Sequence, residues 1–177
     1  MRSFNCCLTS LLCISLCSCA KPPDIAPQTT PTPQVSQGSI ADLPEPLRTL
    51  SSELTIVKRT NQLPSSCKAA FAALTKIPKF EMAEPGENFQ AGDVILFHLP
   101  WRRLVFGGFA AERCFIHYER GGTGLSYYTV LFGLSGDGKA TFLWGGAGNG
   151  ASQSLEKLRS DIASGHFRTI GEFATGW

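Results

Sequence analysis

LSYYTVLFGL (Leu125–Leu134), SGDG (Ser135–Gly138) and ATFLW (Ala140–Trp144) are the stretch that decides the fold. Two runs rich in aromatic and β-branched residues flank a short polar, glycine-containing link. Glycine in that link supplies the positive φ angles that a tight hairpin needs. Working back along the chain, RCFIHYE (Arg113–Glu119) reads as the preceding strand. VILFHL (Val94–Leu99) reads as the one before it, opened by Gly92-Asp93 and ended by Pro100. Working forward, Gly145 to Ala151 reads as a flexible connection. It leads into a helix from Ser152 to Ser164 with Leu155, Leu158 and Ile162 buried and Gly165 as its stop.

Two further helices precede the strands. From residue 42, Leu47, Leu50, Leu54 and Val57 fall at helical spacing behind Pro46. A second helix is expected from Cys67 to Ile77. Ser65 or Ser66 would cap it, Ala70, Phe71, Leu74 and Ile77 make its stripe, and Pro78 stops it. The order ααββββα predicts an α+β domain over residues 42–177. In it a four-stranded antiparallel meander carries helices packed on one face.

The 177 residues carry 16 Lys+Arg against 14 Asp+Glu, a net charge of +2. That balance argues against phosphate neutralisation as the main task, and no nucleic-acid partner is expected. The hydrophobic fraction of 43% is too high for a wholly disordered chain.

The first twenty residues are MRSFNCCLTSLLCISLCSCA. Arg2 begins an n-region, and Leu8 to Leu16 form an apolar h-region about half the ~20 residues that a membrane span requires. Leu16-Cys17-Ser18-Cys19 resembles the lipobox of bacterial lipoproteins. The resemblance implies a signal peptide over 1–18, cleavage before Cys19, and acyl chains, palmitate among them, on that residue. It implies a cell-membrane partner through those chains. Ala20, in place of Asp, favours the outer membrane where there are two. One chain holds weakly at ~0.8 kcal/mol per buried CH₂, and two or three hold almost permanently. Residues 19–41 then read as the lipidated cysteine and a Pro-rich, semi-extended tether.

Of seven cysteines, Cys6, Cys7, Cys13 and Cys17 leave with the signal peptide and Cys19 takes lipid. Cys67 and Cys114 remain. An even pair in an exported chain reads as a disulfide. The rival reading keeps Cys67 as a nucleophile at a helix N-terminus. Around it, Ala91-Gly92-Asp93-Val94-Ile95-Leu96-Phe97 is similar to the Gly-Asp-aliphatic strand of NlpC/P60-type peptidoglycan hydrolases. That resemblance implies His117 as the base. The flanks Ser65-Ser66-Cys67-Lys68 and His117-Tyr118-Glu119-Arg120 depart from the family pattern.

His98, His117 and His166 lack the spacing of a metal site, and no cofactor is expected. The remaining candidate is the segment Leu99 to Phe109. Trp101, Arg102, Arg103, Phe106 and Phe109 fall in what reads as an exposed strand connection, with Arg113 and Arg120 nearby. Aromatic residues and arginine dominate binding hot spots. The other reading makes this segment a longer hairpin whose aromatics fill the core. The functional expectation is a lipid-anchored, non-catalytic interaction module with a protein or envelope-polymer partner. The alternatives are a thiol hydrolase using Cys67 and His117, and an inhibitor or immunity-type lipoprotein.

Overall fold

The structure, a computed structural model, describes residues 45–48 and 53–171. The lipobox with Cys19, the tether and the start of the expected first helix lie outside those residues.

The described residues form an α+β fold on a six-stranded antiparallel sheet. In chain order the elements are α1 (Glu45–Arg48), β1 (Thr55–Val57), α2 (Ser65–Thr75), β2 (Arg102–Ala110), β3 (Arg113–Arg120), β4 (Ser126–Leu134), β5 (Ala140–Gly148), α3 (Leu155–Ala163) and β6 (Phe167–Ile170). Each strand pairs with the next, so the sheet is a pure meander.

Strand β3 organises the packing. Residues 114–119 are all buried, because both parities of its sequence face a core. Cys114, Ile116 and Tyr118 join Leu104, Val130 and Phe132 beneath Phe71 and Leu74 of α2. Phe115 and its neighbours Phe106, Leu131, Trp144 and Phe167 pack beneath Leu155, Leu158 and Ile162 of α3. A helix therefore covers each face, and the one-sided layering expected from the sequence is corrected. Phe115 lies in the opposite phase to Cys114, Ile116 and Tyr118, and a single covered face would leave it and His117 in water.

Three element assignments change. The run Val94–Leu99 is no strand: it forms bends and turns, and β2 begins only after Pro100. The helical periodicity from Leu47 does not continue to Val57. The β-branched Thr55-Ile56-Val57 instead pairs with Phe109-Gly108-Gly107 at the edge of the sheet. The glycines 145–148 extend β5 rather than breaking it. A Cβ on Gly146 would stand 2.2 Å from the Trp144 ring, so the indole lies across the strand where only glycine leaves room. That extension gives β6 its partner, in register Gly148↔Phe167 to Gly145↔Ile170.

The second and third helices match their expected limits closely. Lys76 closes α2 in the left-handed conformation, with Pro78 two residues on. The Ser154 hydroxyl caps α3 by accepting from the Lys157 amide at 3.2 Å.

Cys67 at the start of α2 and Cys114 in β3 are joined as a disulfide across 47 positions. Both are fully buried. The chain-entropy cost of that loop is roughly 4 kcal/mol. Replacing both cysteines by Ala is expected to lower the unfolding free energy by about that amount in a urea titration.

Candidate binding site

The residues between Phe89 and Arg102 form a loop whose two ends are held together. The Gln90 amide donates to the Pro100 carbonyl at 2.8 Å, and the Gly121 amide donates to the Trp101 carbonyl at 3.3 Å. The chain passes so close to Gly121 that a Cβ there would stand 1.8 Å from the Gln90 carbonyl oxygen. Only glycine permits that crossing.

Inside the loop the buried Gln90 side chain replaces the missing strand partners. Its Nε2 donates to the Gly92 carbonyl at 2.9 Å and to the Val94 carbonyl. Its Oε1 accepts from the Leu96 amide at 2.7 Å. The Leu99 amide donates back to Leu96 at 2.9 Å. Held this way, the loop turns its apolar side chains outward. Phe97 is 95% exposed and Val94 72%, with Ile95 and Leu96 about half exposed. A contiguous apolar tip of this kind marks an interaction surface more often than an isolated exposed Leu does.

At the foot of the tip is a cavity of about 570 Å³. Asp93, Ile95 and Trp101 line it from the loop, Arg120 and Tyr128 from the sheet, and the Gly121–Gly124 turn closes it. Trp101 is 38% exposed at this position. An aromatic wall, one carboxylate and one guanidinium thus line the cavity beside an exposed apolar loop.

The five residues expected to form one binding loop do not share a surface. Apart from Trp101 they belong to β2, whose alternation, shifted by the bulge between Leu104 and Phe106, separates them. Arg102 is buried on the α2 side, its Cζ 5.8 Å from the Phe71 ring centre. Burial lowers its pKa, Tyr118 offsets part of that, and Arg120, its cross-strand partner, adds to the lowering. Arg103 points to the α3 side. It pairs with Glu119, donates to the Glu87 carbonyl at 2.9 Å and stacks over Phe89 at 4.4 Å. Burial raises the neighbouring Tyr127 phenol, and Glu119 raises it further. Phe106 fills the α3-side core, and Phe109 packs against the α2-side core. The reading that puts these aromatics in the core holds for Phe106 and Phe109.

Cys67 and His117 are not brought together. Cys67 belongs to the α2-side core and is bonded to Cys114. His117 lies on the other face of β3, ringed by Phe106, Tyr127 and Phe167. Its Nδ1 stands 3.0 Å from the Tyr128 carbonyl and 2.9 Å from the Thr129 hydroxyl. A carbonyl only accepts, so Nδ1 carries the proton and Nε2, buried without a hydrogen-bond partner, is the bare nitrogen. Burial lowers this imidazole to about 4, against smaller raising effects from Tyr128 and Asp161.

Near it, Asp161 on α3 accepts from Ser152 at 2.8 Å, from Lys157, and from His166 at 3.2 Å. Burial opposes the charge on Asp161, and these donors outweigh it and lower its pKa. The Ser152 hydroxyl donates to the carboxylate rather than to a histidine, so the group ties the segment after β5 to α3.

Compared with protein-family models, with curated proteins and with solved structures, the chain matches none. The apolar loop and its cavity are therefore read on their own chemistry. Val94–Leu99 has the composition of a strand but lies in this loop, and Gln90 carries no sequence pattern of its own.

Two predictions follow from these residues. Gln90→Ala removes the acceptor of the Leu96 amide, at a net ~1–1.5 kcal/mol per hydrogen bond. Hydrogen exchange at Leu96 should then quicken about tenfold, while strand amides in β3 keep their protection. His117 is neutral in the folded chain, and the unfolded chain gains a proton as pH falls below about 6.5. Stability is therefore lost between about pH 6.5 and pH 4, by roughly 3 kcal/mol in all. Urea unfolding across that range should show the loss, and His117→Gln should flatten the profile within that window.

Proposed function

We propose that this chain is a lipid-anchored envelope protein that acts as a non-catalytic interaction module, with the 90–100 loop and the cavity at its foot as the contact surface. One observation carries the contact surface: an uncharged apolar tip is held outward by buried polar contacts, at a cost in exposed hydrophobic area that folding alone does not require. The anchor rests on the lipobox resemblance at Leu16–Cys19. It supplies membrane attachment to a chain in which, among the described residues, no helix is long and apolar enough to cross a membrane.

The disulfide supports an exported compartment, because such bonds persist where thiols are not kept reduced. It also weighs against the thiol hydrolase, since Cys67 is bonded and His117 lies behind the strand. An inhibitor would use the same convex tip against the cleft of a target enzyme.

The test is chemical. Intact-mass analysis of the mature protein should give a chain that begins at Cys19 and carries acyl mass. Iodoacetamide added in denaturant before any reductant should leave Cys67 and Cys114 unlabelled. Alkylated Cys67 reinstates the thiol hydrolase, and a mature chain without acyl mass removes the anchor.

A further inference from the structure

The apolar tip has a specific chemical character. From Val94 to Trp101 the chain holds no Asp, Glu, Lys or Arg, and charge begins only at Asp93 on one side and Arg102 on the other. The four side chains at the end are aliphatic or aromatic, and the most exposed is Phe97. Trp101, Asp93 and Arg120 line the adjoining cavity together with Ile95. Exposed apolar residues beside a partly exposed Trp, with Asp93 and Arg120 at the adjoining cavity, suit a membrane interface. There Trp sits at headgroup level and apolar groups reach the acyl boundary.

Shape separates a bilayer from a protein partner. A stable protein interface engages about 20–30 residues a side. Here four side chains stand out on a convex loop, and the aromatic residues expected to widen the patch, Phe106 and Phe109, are turned into the two cores. A fluid bilayer accepts a small convex apolar tip without a complementary pocket.

The chain outside the described fold supplies the rest. About 25 residues separate Cys19 from α1, a length of chain that reaches at most roughly 90 Å. An anchor at Cys19 keeps the domain within that distance of the lipid. The effective concentration is then high enough for a contact too weak to hold by itself.

We infer that Val94–Phe97 seats in the surface of the bilayer that holds the anchor, so that the domain lies against the membrane with the Trp101 cavity at headgroup level. This rests on the lipid-anchor reading above. The anchor and the tip are then two signals for one membrane. The first gives permanence and the second gives orientation.

A photo-crosslinker tests it in the protein as it exists. Benzoylphenylalanine is incorporated in place of Phe97 in the full, natively processed chain, in bacterial cells. A second variant carries it in place of Lys139, which is exposed in the β4–β5 turn at the opposite end of the sheet. Phe97 is almost fully exposed, so its replacement leaves the fold intact. An unreduced Cys67–Cys114 bond in each sample checks this. After irradiation, mass spectrometry of the peptide containing position 97 should show phospholipid adducts at least about fivefold above those at position 139. Protein adducts at 97, or lipid adducts equal at both positions, overturn the inference while acyl mass on Cys19 still upholds the anchor. A mature chain without acyl mass overturns the anchor itself, and with it the inference, through a different reading from the same sample.

Discussion

Burial of β3 on both faces is the constraint on which the rest of this structure depends. A strand with one wet face needs a single covering layer. This one presents Cys114, Ile116 and Tyr118 to one side and Phe115 and His117 to the other, so it demands two. Helix α2 answers the first demand and is bonded there through Cys67. Helix α3 answers the second, held at its base by Asp161 and the three donors around it. His117 belongs to the same solution. It is a polar side chain in an apolar setting, kept neutral by its surroundings and satisfied on one nitrogen by the neighbouring strand.

Much of the architecture was legible in the sequence. The hairpin around Ser135–Gly138 has β-rich runs on either side of a glycine link, and both helices α2 and α3 announce their ends through Pro78 and Gly165. These signals are local, and local physics decides them. The pairing of Cys67 with Cys114 was also legible, because the lipobox reading assigns the other five cysteines to a cleaved signal and to lipid.

What failed depended on non-local contacts. Val94–Leu99 has the composition of a strand, yet Gln90 satisfies its backbone in place of a neighbouring strand, and no hydropathy pattern encodes that. The glycines after Trp144 have the composition of a loop, yet the indole and the β6 partner make them a strand. Thr55–Val57 continues a helical periodicity, yet the open edge of β2 claims it. The candidate site suffered most. Its expected residues, Trp101 apart, lie on a strand whose bulged alternation deals them to opposite faces, and its apolar tip sits on the segment assigned to the sheet.

The closed neck of the 90–100 loop has one more consequence. Two backbone contacts, Gln90 to Pro100 and Gly121 to Trp101, fix the base of the loop, and β2 begins only beyond them at Arg102. The register of β2 against β3 is therefore set below the neck, and the residues above it bear no load for the sheet. Evolution can rewrite that short cassette, exchanging one surface chemistry for another, without renegotiating the scaffold that carries it.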